Sequence, residues 1–338
     1  MADSGFNPYS NTPYNPWPQG GDPYAGIVHR EKKQLRRLSS IAGLCVLGFF
    51  GLQIALSVII SVFNLNGLYN GNLLFQNTTG VFFTAICVFL PFFIAAVLMN
   101  QKDRANALLF GKPYSNALMV LALPAGFMAC MAGNFVTSWL VSLAESNGVT
   151  LKSPEMPVPS DPFAIVMQIV QVAFVPALVE EYALRGVIMQ PLRRFGDRFA
   201  IVMSSLVFSL MHGNMVQAPF AFIAGLTIGY FVIATGSIWT GVLIHFANNL
   251  FSVTVSLINE NTGLDAERLY VAFLTAAYII GLSCCVVFAL NKKRYRLRKP
   301  AVNIGFGERS RAYVFTFPML CALAAIVYFT KDYVEFGG

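Results

Sequence analysis

Residues 176–189 read PALVEEYALRGVIM and put Glu180, Glu181 and Arg185 into a run that is otherwise apolar from about 163 to 191. A run of that length is enough to cross a bilayer as helix, which takes roughly 20 residues. Near the bilayer centre, each ionised side chain costs about 2.5–3.5 kcal/mol on insertion scales. Three such groups within six residues need partners, a task, or both.

The rest of the chain repeats the apolar pattern. Runs at about 41–63, 81–99, 117–142, 163–191, 200–213, 218–235, 238–258, 269–290 and 312–330 predict nine transmembrane helices, the fifth being the shortest. Of 338 residues, 56% are hydrophobic and 12% charged, against about 25% charged in soluble domains. Backbone groups in lipid must be satisfied internally, and the ten-residue alternating segments of a membrane barrel are absent from the sequence. The predicted fold is therefore all-α, a polytopic transmembrane helical bundle.

Charge sets its expected orientation. The formal net charge is +7. Basic residues collect before the first run (Arg30, Lys32, Lys33, Arg36, Arg37), after the second (Lys102, Arg104, Lys112) and after the fourth (Arg193, Arg194, Arg198). A further set lies between the last two, from Lys292 to Arg311. If the runs alternate, all of these lie on one side. The other side has Lys152, Arg268 and Lys331 among acidic residues such as Glu145, Asp161, Glu260, Glu267 and Glu335. The positive-inside rule then puts the N-terminus in the cytoplasm and the C-terminus across the membrane, and a bacterial cell membrane is the expected location. The basic excess is a topology signal that also suits anionic lipid, and not the face of a nucleic-acid-binding protein. The six cysteines (Cys45, Cys87, Cys130, Cys284, Cys285, Cys321) lie in apolar runs without metal-ligand spacing, so buried packing is expected.

Residues 1–28 are dominated by Pro, Asn, Gly, Ser and Tyr and cannot build a core. A disordered tail is expected there, its Pro-Tyr pairs available to a partner, with the basic cluster completing a juxtamembrane segment to residue 40. The span that follows is too long for a signal-peptide core and should remain as an uncleaved anchor. The loop NGVTLKSPEMPVPSD (147–161) separates a unit of three spans, 41–159, from a functional core at 160–258. The last two spans fall in 259–338.

The ionisable residues well inside spans are Glu180, Glu181, Arg185, His212 and His245, all in that core. Such residues are functional-site candidates by default. Successive helical residues differ by about 100° around the axis, so the two glutamates point differently and should not share a task. Glu181 and Arg185 stand at i and i+4, acid first, the favourable order for an ion pair. Glu180 has no such partner and is free to face a cavity as general base. In FSLMH, Phe208 and His212 share a face, and the aromatic ring can limit the imidazole's rotamers. In HFANN, His245 and Asn249 share a face and can donate toward one point, as an oxyanion hole requires. Each pair alone also fits simple interhelical hydrogen bonding. Counting about 1.5 Å per residue from the basic ends of their spans puts these groups near mid-membrane, somewhat toward the cytoplasmic half, in a cavity expected to open to the cytoplasm or the membrane. Ala221, Gly225 and Gly229 form a small-residue face suited to close helix packing.

Together the motifs EExxxR (Glu180, Glu181, Arg185), FxxxH (Phe208, His212) and HxxxN (His245, Asn249), in this order on successive spans, resemble the CPBP family of CAAX prenyl proteases and bacteriocin-processing (Abi) proteins. The resemblance covers about 160–258. It implies an intramembrane endopeptidase acting on a peptide or membrane-protein substrate, with Glu180 activating water and His212 helping to hold it. His245 and Asn249 would stabilise the tetrahedral oxyanion, while Glu181 and Arg185 organise the site. The family is widely labelled metalloprotease, and Glu180, His212 and His245 are the candidate ligands for a zinc ion. Against this, HExxH is absent, and a ligating Glu180 could not readily serve as base, so a metal-free glutamate mechanism is preferred. Competing readings are a non-enzymatic immunity or scaffold module, a proton-coupled transporter, and a serine hydrolase using Ser209 beside His212.

Overall fold

The apolar runs form helices because nothing in lipid competes for their backbone groups. A computed structural model describes residues 23–99, 111–154, 156–261, 266–291 and 297–336. Helices α1 (Pro23–Val62), α2 (Asn66–Gly71), α3 (Leu73–Leu98) and α4 (Asn116–Ser146) lead to a short strand β1 (Val149–Leu151). The helical run α5 covers Pro162–Phe195. It is followed by α6 (Asp197–Met211), α7 (Gln217–Thr235), α8 (Ile238–Asn261), α9 (Ala266–Leu290), α10 (Phe306–Val314), α11 (Phe317–Thr330) and β2 (Val334–Phe336).

The expected nine spans become seven helices long and apolar enough to cross a membrane, or eight if the bent pair α10–α11 is one span, among the described residues. Two physical reasons account for the difference. The fifth run forms α6, whose 15 residues reach only about 22 Å, short of the roughly 30 Å hydrocarbon layer. The last run is broken by a 70° bend between α10 and α11. At the N-terminal end, helix begins at Pro23, so residues 23–28 are helical where a disordered tail was expected, and the basic cluster that follows continues the same helix. The remainder of the expected tail, and the basic residues Lys102, Arg104, Lys292, Lys293, Arg294 and Arg296, lie outside the described residues.

Polar contacts gather the segments between helices into two groups. At one end, Asn303 donates to Glu31 through its backbone N–H (3.0 Å) and side-chain amide (3.2 Å). Lys32 pairs with Glu308 at 3.0 Å. Asp197 accepts from Arg193 (2.7 Å) and from the Arg298 N–H (2.8 Å), and Ser237 donates to the Gly111 carbonyl at 2.8 Å. The described basic segments thus meet at a single end of the bundle. At the other, β1 and β2 pair antiparallel, with Val149 opposite Phe336 and Leu151 opposite Val334, and Lys152 pairs with Glu335.

The α6–α7 hairpin enters from the basic end and turns at 212–216. Gly213 and Asn214 are buried, and the turn satisfies its own polar groups. Asn214 donates to the His212 carbonyl (3.1 Å) and accepts from the Gln217 N–H (2.8 Å). The small-residue face on α7 packs where expected: a Cβ on Gly225 would lie 2.8 Å from the Ser205 Cβ, and Gly229 rests on Ile201. Ala183, Leu184, Val187 and Met189 of α5 are 0% exposed at the centre of this packing. All six cysteines are free.

Candidate active site

Two irregularities in α5 shape the site. π-helical turns occupy Val170–Phe174 and Tyr182–Met189, on either side of the α-helical turn Val175–Glu181. Such turns interrupt the regular ladder and recur at functional sites. Pro176, between them, adds a third interruption. It has no N–H for the Val172 carbonyl four residues earlier, and the Asn249 side-chain amide fills the gap, donating to Val172 at 2.9 Å. One expected site residue on α8 is therefore tied to the helix that carries the glutamates.

Glu181 and Arg185 pair as their spacing predicts, Oε1 to Nη1 at 3.0 Å, with side-chain exposures of 0% and 1%. The guanidinium also donates to the Gly225 carbonyl (3.3 Å) and sits 5.0 Å from the centre of the Phe208 ring. Glu181 does more than neutralise Arg185: the same Oε1 lies 3.0 Å from His245 Nδ1. A carboxylate oxygen accepts, so Nδ1 carries the proton and Nε2 is the free nitrogen. That nitrogen faces Glu180, with Oε2 at 3.7 Å. The adjacent glutamates do point differently, but both approach one imidazole, each at its own nitrogen.

Exposure separates the two acids further. The Glu181 side chain is sealed, whereas that of Glu180 is 17% exposed and lines a cavity of about 600 Å³ together with His212, His245 and Asn249. This volume lies within the range of ligand sites, about 300–1,000 Å³. His212 Nδ1 stands 2.9 Å from the Phe208 carbonyl. A carbonyl can only accept, so Nδ1 is again the donor and Nε2 the free nitrogen. Phe208 lies edge-on to both imidazoles, 4.9 Å from His212 and 5.8 Å from His245. It restrains two rings where the sequence suggested one.

All seven residues singled out from the sequence therefore come together: Glu180, Glu181, Arg185, Phe208, His212, His245 and Asn249. Several neighbours were not anticipated. Asn248 donates to Asn249 Oδ1 at 3.1 Å, and Asn248, Gln171 and Thr137 share the cavity wall. The signal was present in the sequence as neutral polar residues inside apolar runs, but attention to ionisable groups alone passes over them.

Alternative chemistries find less support in the side-chain arrangement. Ser209 donates to the Ala218 carbonyl (2.8 Å), and Ser204 and Ser205 donate to the Ile201 carbonyl. For a metal, the fit is poor: among the described residues no three His, Cys, Asp or Glu side chains form a set able to hold an ion. Both histidine Nδ1 atoms are engaged as donors, which leaves their Nε2 atoms available, and Glu180 meets His245 at ion-pair distance.

Residues 162–251 match a family model described as type II CAAX prenyl endopeptidase Rce1-like. No curated protein and no solved structure matches the chain. The matched stretch contains all seven residues of the candidate site and is the part of the chain shaped by the π-helical turns and the buried hairpin. Over this stretch, residues 162–251, the chain is similar to the Rce1-like type II CAAX prenyl endopeptidases, a likeness that supports the CPBP/CAAX intramembrane protease reading.

Proposed function

We propose that the protein is an intramembrane endopeptidase in which Glu180 activates water against a peptide carbonyl. The observation that carries this reading is the inequality of the paired acids: Glu181 is sealed against Arg185 and His245, while Glu180 opens to the cavity. Water held between Glu180 and His212 gives a proton to the Glu180 carboxylate as its oxygen attacks the carbonyl carbon. The free Nε2 of His212 accepts the water's second hydrogen and orients it. Asn249 has one amide hydrogen engaged by Val172 and a second left for the developing oxyanion. His245, held at Nδ1 by Glu181, turns Nε2 toward Glu180 and is the second contact for the oxyanion. Collapse of the tetrahedral intermediate breaks the C–N bond, and the proton on Glu180 passes to the leaving nitrogen.

General-base assistance contributes about 10²–10⁴-fold and an oxyanion donor about 10²–10³-fold. The Glu180→Gln variant keeps the shape and removes the base. Comparison of peptide termini in cells carrying the native protein or this variant is expected to reveal cleavages lost in the variant, with equal amounts of protein in the membrane. An undiminished set of cleavages would remove Glu180 from the mechanism. If the variant retained the biological effect of the native protein and no cleavage distinguished them, the chain would be a binding module.

A further inference from the structure

The cavity has a direction along the bundle. Its deeper wall includes Cys130, Ala224 and Ile228, all buried. Its exposed wall residues are Met156, Ser252 and Ser256. Met156 belongs to the loop after β1, and Ser256 to the last turns of α8. Tyr270, near the start of α9, completes this rim. All these positions belong to the end that carries the β1–β2 ribbon, and none of the lining residues comes from the basic segments at the opposite end.

The wall chemistry suits a peptide. Thr137 Oγ1, Gln171 Oε1 and Asn248 Oδ1 are buried oxygens with no hydrogen-bond partner among the described residues. Buried polar atoms normally find partners, and the N–H groups of an extended chain would supply them here. By contrast, the neighbouring groove of about 740 Å³ between α4, α8 and α9 is lined by residues such as Leu123, Phe127, Leu250 and Phe273, a surface matched to lipid tails. Along α8, His245 and Ser256 are eleven residues apart, about 16 Å of helix. An extended chain covers about 3.3–3.6 Å per residue, so about five residues of substrate reach from the rim to the catalytic groups.

We propose that this cavity is loaded from the end opposite the basic loops, and so from the extracytoplasmic face. Its substrate is a membrane-anchored or exported chain that threads about five extended residues inward from that face. The sidedness follows from the charge difference between the ends. The cleavage itself rests on the endopeptidase reading above.

Single cysteines at Met156→Cys and Ser256→Cys, with Lys299→Cys at the basic end, test the loading side in the full chain. A membrane-impermeant maleimide is applied to right-side-out and to inverted vesicles, with the unsubstituted protein as background. The two rim cysteines are expected to label in right-side-out vesicles and Lys299→Cys only in inverted ones. The reverse pattern overturns the proposal. So does a rim that labels from neither side while Lys299→Cys labels. In cells, termini lost in Glu180→Gln are expected in extracytoplasmic segments of their parent proteins. Cytoplasmic cleavage sites would overturn the loading side and leave the endopeptidase standing. An absence of lost termini would overturn both, even if the rim labels as expected.

Discussion

At the scale of single residues, the pair Glu180–Glu181 shows how a one-position offset divides labour. Both acids meet His245, yet only Glu180 reaches the cavity. Replacing Glu181 by Gln leaves Arg185, 1% exposed, without its counter-charge. Breaking a buried pair in this way costs about 3–5 kcal/mol. Glu181→Gln is therefore expected to lower the thermal midpoint in detergent, whereas Glu180→Gln should leave it near that of the native protein. Equal midpoints for the two variants would contradict the division of roles. Metal removal probes the same residues from another direction. With no three-ligand set among the described residues, cleavage should persist after incubation with 1,10-phenanthroline and dialysis. Loss of activity that zinc restores would instead make Glu180, His212 and His245 ligands.

At the scale of elements, α5 and α8 build the site through close approach. Gly241, His245 and Asn249 recur every four residues along α8 and so share a face. At Gly241 an added Cβ would lie 2.6 Å from Glu181 Oε2 and 2.7 Å from Val232 Cγ2. Neither neighbour has room to yield: Glu181 is held by Arg185 and His245, and Val232 is buried. Gly241→Ala should displace the carboxylate that orients His245. The expected loss is about 10²-fold in turnover, the scale of an approximately 1 Å misplacement, with about 1–3 kcal/mol of overpacking. A variant with native turnover would show that Glu181 does not need its observed position. The helical character of α5 and α8 was legible from their apolar runs. The π-helical turns were not, because they arise where Pro176 and tertiary contacts interrupt the ladder.

Across the whole molecule, a polar clasp at the basic end joins the chain's distant parts. Asp197 is 0% exposed and holds both Arg193 and the Arg298 N–H, while Arg309 donates to the Phe195 carbonyl. The clasp fixes the start of α6 and hence the depth at which His212 enters the cavity. Asp197→Ala is expected to cost on the order of 3 kcal/mol, read as a lower midpoint. It should also increase protease nicking near residue 298, with Glu180 itself untouched. Unchanged nicking would mean that this end is held by packing alone. Neither the clasp nor the β1–β2 ribbon was foreseen, since each joins segments more than a hundred residues apart in sequence.

The sequence by itself determined the all-α class, most of the apolar helices, the separation of charge between their connecting segments and the candidacy of the seven site residues. Each of these follows from local composition or from spacing along one helix, where the period of 3.6 residues fixes what shares a face. Tertiary structure decided how those faces meet. It made α6 a short, buried hairpin arm in place of a span, bent the last run at α10–α11, and brought Glu181 to His245 as well as to Arg185. It also directed the cavity toward the end away from the basic segments. These outcomes depend on contacts between helices, and helical periodicity specifies the facing side of a helix without naming its neighbour.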